Sequence, residues 1–169
     1  MTRIVPLLIF IVFAAMATVM LLNRIDPQES ARFVNYPLPE LKIHALGDTT
    51  TPLVIDEKTV VLNFFASWCA PCLAEHAQLV ALKKKFPLIT FHGIAWNDTQ
   101  KNINNMLEEH GNPYDHVWGD STGSAAIGIG LRGIPETFIV KNNRVIYHLS
   151  GPITANLRTT EIEPFLAQN

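Results

Sequence analysis

Residues 60–72 of the chain read VVLNFFASWCAPC, and this stretch decides the fold. Its first part, residues 60–66, is almost continuously apolar and has the length of a strand, which is typical of a central strand buried on both faces. A helical pattern of apolar residues begins directly after the cysteines and ends before Pro87, which cannot continue a helix. A buried strand that leads straight into a helix predicts an α/β domain.

Further strands and helices alternate along the chain, and the folded domain is predicted to cover residues 36–169. Strands are predicted at residues 88–96, 115–118, 137–140 and 145–149, and helices at residues 99–110 and 154–167. Asn142 and Asn143 tolerate the positive φ of a tight turn, so the last two strands are expected to form a hairpin. A kink or break is expected before Pro164.

The charge of the chain argues against nucleic-acid binding. The 169 residues include 13 basic and 15 acidic ones, which give a net charge of −2. These charges are spread along the chain and form no basic stripe. The only basic run, residues 83–85, is interpreted as the last turn of a helix, where cations favour the negative end of the helix dipole.

The N-terminal segment predicts a membrane helix. Residues 4–22 contain no charged residue and only one polar residue, Thr18, and a run of nineteen residues is long enough to cross a bilayer core. Ala15-Met16-Ala17 matches the cleavage pattern of a signal peptide, but the apolar run continues to Leu22, which favours an uncleaved signal anchor. We therefore expect a transmembrane helix over residues 1–23 and a linker over residues 24–35. The flanking charges leave the orientation open.

The chain has only two cysteines, Cys69 and Cys72, so they do not belong to a structural disulfide framework. Cys69 falls at a helix N-terminus, where free N–H groups and the positive end of the dipole stabilise a thiolate. Cys72 lies one turn later, within reach of Cys69, and Pro71 fits the first helical turn. This arrangement predicts Cys69 as the exposed nucleophile and Cys72 as the resolving cysteine of a redox pair.

The Cys69–Cys72 pair has two metal-binding alternatives. A Cys-x-x-Cys pair can be half of a zinc site, but the sequence holds no second pair, and the nearest histidine is a single one, His76. The two thiolates could also carry Cu(I) in a metallochaperone, and this alternative stays open. We expect no resident metal and no cofactor other than a redox-active disulfide.

The motif Trp68-Cys69-Ala70-Pro71-Cys72, together with the downstream segment Gly133-Ile134-Pro135-Glu136-Thr137-Phe138, resembles the thioredoxin superfamily. The resemblance implies a thioredoxin-like fold with a central mixed β-sheet flanked by helices. It also implies a cis Ile134–Pro135 bond that faces the cysteines and presents the Ile134 backbone to an extended substrate.

Finer motifs resemble the DsbE-type thiol:disulfide interchange proteins of bacterial cytochrome c maturation. These motifs are Ala74-Glu75-His76, Gly111-Asn112-Pro113-Tyr114 and the Pro-Glu-Thr order after residue 134. The resemblance implies a reductant of the haem-binding cysteines of apocytochrome c, acting directly or through a maturation partner, and recharged by a membrane thiol reductase. It also implies an inner-membrane protein whose soluble domain is periplasmic. A general periplasmic thiol-disulfide reductase of a sister branch is the alternative.

The same resemblance points to acidic residues near the redox pair. Glu75 and Glu136 match family positions, and Asp98 follows Asn97, which replaces the usual lysine of the family. Carboxylates near Cys69 disfavour its thiolate, which raises its pKa and makes the protein a stronger reductant. Glu75 could instead be a solvated charge in the first turns of the helix. Trp68, Pro71, Ile134 and Pro135 complete the expected site.

Overall fold

The computed structural model describes residues 5–24, 30–48, 52–55 and 58–168. Helix α1 occupies Val5–Arg24, and side chains within it are described for residues 9–20. Across the described part of the chain, no helix has both the length and the apolar character that crossing a membrane requires. The predicted membrane segment therefore stays a prediction from the sequence.

The described residues form one seven-stranded sheet. Its strands are β1 Ser30–Pro37, β2 His44–Ala45, β3 Thr59–Phe65, β4 Thr90–Trp96, β5 His116–Asp120, β6 Glu136–Lys141 and β7 Arg144–Ser150. Their spatial order is β1-β7-β6-β3-β4-β5-β2. Strand β3 is parallel to β4 and antiparallel to β6, so the sheet is mixed, as the resemblance implies.

Helices pack on both faces of the sheet. They are α2 Ala70–Lys85, α3 Gln100–His110, α4 Ser124–Ile129, α5 Ala155–Leu157 and α6 Glu163–Gln168. Thr99 caps α3 by accepting the N–H of Asn102, and Gly111 ends it at φ 87°, a region that glycine enters without strain. Both ends of α3 agree with the sequence-based prediction.

Strand β3 is buried on both faces because its side chains alternate between two hydrophobic clusters. Val61 and Phe65 pack with the apolar faces of α2 and α3, to which Leu79 and Ile103 belong. Val60, Leu62 and Phe64 pack on the other side of the sheet, with Ala125 and Ile129 of α4. This double burial confirms the central position predicted for residues 60–66 and fixes where the following cysteines emerge.

Two local expectations from the sequence differ from the structure, and one further stretch carries no expectation from the sequence. Residues 30–35, predicted as linker, belong to β1, which pairs with β7 at the sheet edge; polar residues in this edge strand conceal it in the sequence. Residues 121–130, which show no clear pattern, include α4. The expected break before Pro164 is a π-helical turn, Arg158–Ile162, which widens the helix where the proline offers no N–H.

Candidate active site

The two cysteines form a disulfide at the N-terminus of α2. Cys69 is the N-cap residue, with φ −90° and ψ 104°, and its sulfur accepts the backbone N–H of Cys72 at 3.2 Å. Cys69 is 5% exposed and Cys72 is 1% exposed. The nucleophile predicted as exposed is therefore buried in the oxidised state, although it remains the more accessible of the two cysteines.

The loop before Cys69 is held by residues that follow β4. The Asp98 carboxylate accepts the backbone N–H of Ser67 at 2.7 Å, and Trp68 donates its indole N–H to the Asn97 carbonyl at 3.3 Å. Asn97 has φ 48°, a left-handed conformation that asparagine adopts more readily than most residues. Trp68 is 57% exposed, and its ring centroid lies 6.0 Å from that of Trp96. Residues 96–98 thus shape one wall beside the disulfide.

The proline loop faces the disulfide from the other side. The Ile134–Pro135 peptide bond is cis, as the resemblance predicts. The Ile134 carbonyl oxygen lies 3.8 Å from the Cys69 sulfur. The Pro135 carbonyl accepts the backbone N–H of Gly151 at 3.0 Å, so the loop is tied to the end of β7.

Glu75 is a buried carboxylate one helical turn after Cys72, not a solvated charge. Its two oxygens accept the side-chain amide of Asn63 at 2.9 Å and the backbone N–H of Ile153 at 2.8 Å. Burial raises the pKa of Glu75 from its ordinary 4.5 to about 7, because the two hydrogen bonds compensate only part of the lost hydration. A carboxyl group that titrates near neutral pH therefore lies beside the redox pair.

A buried polar network connects Glu75 to the centre of the sheet. Asn63, in the middle of β3, donates to Glu75 and to the Thr137 hydroxyl, the latter at 3.0 Å. Its amide oxygen accepts the Tyr114 hydroxyl at 2.7 Å. Burial, and secondarily the negative charge of Glu75, raise the pKa of Tyr114 well above its usual range, so its hydroxyl stays protonated as a donor. Gly93 leaves room for the Tyr114 ring, which a Cβ there would meet at 2.8 Å.

Glu136 is buried as well, but it faces the proline loop and β7. One carboxylate oxygen accepts the backbone N–H of Arg132 at 3.0 Å and the Ser150 hydroxyl at 3.1 Å. The other oxygen lies 2.8 Å from Nε2 of His148. The two predicted acidic residues therefore lie on different elements. Glu75 is on α2, the helix of the cysteines, and Glu136 holds the proline loop opposite them.

Several residues of the site are not predicted from the sequence. These are Asn63, Tyr114, Thr137, His148, Ser150 and Ile153. A signal existed for Asn63, because a polar residue in the middle of a strand buried on both faces must find a partner. The others approach the site only through the tertiary fold.

His76 does not join the cysteines. Its Nε2 lies 2.7 Å from the Gly111 carbonyl, at the end of α3, and burial lowers the pKa of its imidazole. Within the described ranges, no group of three or more His, Cys, Asp or Glu side chains is placed to hold a metal ion.

All parts of this arrangement serve thiol–disulfide exchange. A helix N-terminus stabilises one thiolate, a second cysteine closes the disulfide, and a cis-proline loop lies within 4 Å of the reacting sulfur. Fold and site together define a thioredoxin-like thiol:disulfide oxidoreductase. More specifically, the chain belongs to the Redoxin family, whose profile matches residues 34–161.

Comparisons with individual proteins agree with this assignment. The chain is 35% identical over 133 residues to the thiol:disulfide interchange protein HelX of Rhodobacter capsulatus, covering 76% of this chain and 74% of that protein. It is 34% identical over 170 residues to the thiol:disulfide interchange protein DsbE of Allochromatium vinosum, covering 98% and 92%. The protein is thus of the DsbE type.

Solved structures confirm the fold. A DsbF homologue from Corynebacterium diphtheriae superposes with a TM-score of 0.67 at 22% identity, covering 85% of this chain and 96% of that one. A secreted Mycobacterium tuberculosis disulfide oxidoreductase homologous to DsbE of Escherichia coli gives a TM-score of 0.63 at 19% identity, covering 77% and 96%. At these identities the similarity concerns the fold alone.

Proposed function

We propose that this protein is a periplasmic reductant in cytochrome c maturation. Cys69 attacks a disulfide formed by the haem-binding cysteines of apocytochrome c, or by a maturation protein that acts on them. Cys72 then attacks the mixed disulfide, which releases the substrate as a dithiol and leaves the Cys69–Cys72 disulfide. A membrane thiol reductase returns the two electrons and two protons to the pair.

The observation that carries the proposal of a reductant is the buried Glu75. A carboxylate beside the cysteines disfavours the thiolate of the reduced state and so makes reduction of the pair less favourable. A dithiol whose reduced form is less stable gives its electrons more readily to a partner. The choice of substrate rests on the DsbE-type motifs quoted above.

We also propose that residues 1–23 hold the protein in the inner membrane, with the redox domain on the periplasmic side. The support is the uncharged run of residues 4–22. Alkaline extraction of membranes should leave the full chain in the pellet and release a variant that lacks residues 1–23. Release of the full chain would contradict the proposed anchor.

A cysteine-trapping experiment tests the substrate. The full-length Cys72→Ser variant is expressed in a bacterium that assembles c-type cytochromes and lacks its own copy of the protein. Because Cys72 can no longer resolve the mixed disulfide, adducts through Cys69 should accumulate and disappear on reduction. Mass spectrometry should identify apocytochrome c or a cytochrome c maturation protein. The Cys69→Ser/Cys72→Ser variant should form no adducts.

Other outcomes separate the alternatives. Adducts spread over many unrelated periplasmic proteins would favour a general thiol-disulfide reductase. About one Cu(I) per chain after anaerobic purification of the wild type would favour a copper carrier. Either result would contradict the proposed role in cytochrome c maturation without changing the assignment to the thiol:disulfide oxidoreductases.

A further inference from the structure

The loop opposite the cysteines is held by a cluster of three donors around Glu136. We propose that His148 is a positioning residue for thiol–disulfide exchange: through Glu136 it holds the proline loop where the Ile134 backbone can pair with an extended substrate beside Cys69. The inference rests on attack by Cys69, as proposed above, but not on the identity of its substrate.

The geometry of the cluster follows from the pairing of β6 and β7. His148 and Ser150 are two residues apart on β7, so their side chains point to the same face of the sheet. Glu136 is in register with Ser150, which brings its carboxylate between both side chains. An ionised carboxylate can only accept hydrogen bonds, so Nε2 of His148 is the donor in the contact of 2.8 Å.

The histidine is the one of these three donors whose side chain is an aromatic ring that can also bind a proton. Glu136 is 1% exposed, and a buried carboxylate is costly unless a positive charge or several donors compensate it. The Arg132 backbone N–H and the Ser150 hydroxyl are neutral, whereas an imidazole can carry a proton. The His148 ring stacks on Phe138 at 4.3 Å with an angle of 10° between the planes, which fixes the direction of its N–H.

The cluster holds the loop on both sides of Ile134. Glu136 accepts the backbone N–H of Arg132, two residues before Ile134. Gly151, directly after Ser150, donates its N–H to the carbonyl of Pro135. The orientation of Ile134 therefore depends on contacts made from the end of β7. His148 fixes the carboxylate that accepts one of them, the Arg132 N–H.

A consequence for substrates follows from this position. An extended peptide that pairs with the Ile134 backbone needs the loop in place before Cys69 can attack its disulfide. A small disulfide without a peptide backbone needs only the Cys69 sulfur. Loss of the His148 donor should therefore slow the reaction with a peptide much more than the reaction with a small molecule.

The experiment compares two disulfides on four full-length proteins in the reduced state. The proteins are the wild type, His148→Leu, His148→Gln and the control His44→Leu, in which the replaced histidine is exposed on β2 at the far sheet edge. Gln keeps an N–H donor near the position of Nε2, whereas Leu keeps only volume. The second-order rate constants are measured with a disulfide-bonded peptide of about ten residues and with hydroxyethyl disulfide.

In His148→Leu we expect the rate constant for the peptide to fall about tenfold and that for hydroxyethyl disulfide to change by less than about twofold. His148→Gln should restore the peptide reaction to within about threefold of the wild type. Equal losses with both disulfides, or an unchanged peptide reaction, would overturn the proposal. So would a Gln variant as slow as the Leu variant, since packing on Phe138 would then be what matters.

Thermal unfolding of each oxidised protein checks that it is folded. If His148→Leu does not fold, Ser150→Ala provides the test, because it removes a neutral donor from the same carboxylate. Its peptide reaction should fall about threefold with no change for hydroxyethyl disulfide. A fall in both reactions, or in neither, would count against the proposed positioning. The readout involves no cytochrome, so it is independent of the trapping experiment.

Discussion

Two buried carboxylates lie on opposite sides of the disulfide, and their partners differ. Glu75 and Glu136 are each 1% exposed. Among the described residues, Glu75 accepts hydrogen bonds from two neutral groups, the Asn63 amide and the Ile153 backbone, and burial raises its pKa to about 7. Glu136 has in addition the imidazole of His148, which can carry a compensating charge. The two carboxylates are equally buried but differ in role: Glu75 titrates near neutral pH, whereas Glu136 holds the proline loop in position.

The difference assigns separate tasks to the two sides of the site. On the side of helix α2, Glu75 lies one turn after Cys72 and sets how readily the cysteines give and take protons. The side of the proline loop sets where a substrate backbone lies. Substitutions of the two carboxylates should therefore have effects that differ in magnitude, in pH dependence and in the reactions affected.

The largest expected effect is the loss of stability on removal of Glu136. Glu136→Ala leaves three donors without their shared acceptor, one of them the imidazole of His148. Buried donors left without an acceptor cost about 1–3 kcal/mol each, so the total loss should be about 3 kcal/mol or more of the free energy of unfolding. Urea unfolding of the oxidised full chain at pH 8 should show this loss.

Glu75→Ala is the matched variant for that measurement. At pH 8 it should cost less than half as much, because it also removes a carboxylate whose burial is unfavourable when ionised. Equal losses for the two variants would break the comparison on which the separate tasks rest.

The second expected effect is a pH dependence of the free energy of unfolding that is caused by Glu75. The folded chain raises the pKa of this carboxyl from 4.5 to about 7, so the folded state binds its proton more tightly than the unfolded state. Stability from this group is full below pH 4.5 and is lost as pH rises to 7, by about 3 kcal/mol in total. Glu75→Gln removes the titration.

The measurement is the free energy of unfolding of wild type and Glu75→Gln from pH 4 to pH 8. The difference, variant minus wild type, should increase by about 3 kcal/mol across this range and level off above pH 7. Glu108→Gln, which changes an exposed carboxylate on α3, should track the wild type. A difference that stays flat for Glu75→Gln would show that the carboxyl does not titrate near neutral pH.

Much of the fold can be predicted from local pattern. The apolar run of residues 60–66, the caps at Thr99 and Gly111 and the turn at Asn142 each specify their element through nearby residues. Strand β1 could not be predicted in this way, because its place in the sheet depends on pairing with β7 more than 100 residues later. Edge strands also carry the polar residues that make them resemble linkers.

The candidate site can likewise be predicted from the sequence only in part. The cysteines and the proline loop are recognisable from sequence because their chemistry requires particular residue types at short spacing. The state of Glu75 is not, since a carboxylate at that helix position can be solvated or buried. Its burial depends on Asn63 and on Ile153, which is 78 residues away in the chain. His148 meets Glu136 only because β6 and β7 pair in one register.

The third prediction concerns the thiol of Cys69 in the reduced protein. An ionised Glu75 disfavours the thiolate, so Glu75→Gln should lower the pKa of Cys69. Alkylation rates with iodoacetamide across pH report this pKa. Glu136→Gln should change the pKa of Cys69 less, because the Glu136 carboxylate is in contact with His148. The hypothesis fails if Glu75→Gln leaves the pKa unchanged or raises it, or if Glu136→Gln has the larger effect.

The smallest expected effect separates the polar network from the carboxyl that it supports. The Tyr114 hydroxyl donates to Asn63, which in turn donates to Glu75. Tyr114→Phe leaves the Asn63 oxygen without this donor and should cost about 1 kcal/mol of the free energy of unfolding. The cost should be equal at pH 5 and pH 8, because no titrating group is removed. Tyr147→Phe, whose hydroxyl has a longer contact of 3.4 Å with Glu161, should cost less. A cost that varies with pH like that of Glu75→Gln would mean that the network, and not burial of the carboxyl alone, sets the pKa of Glu75.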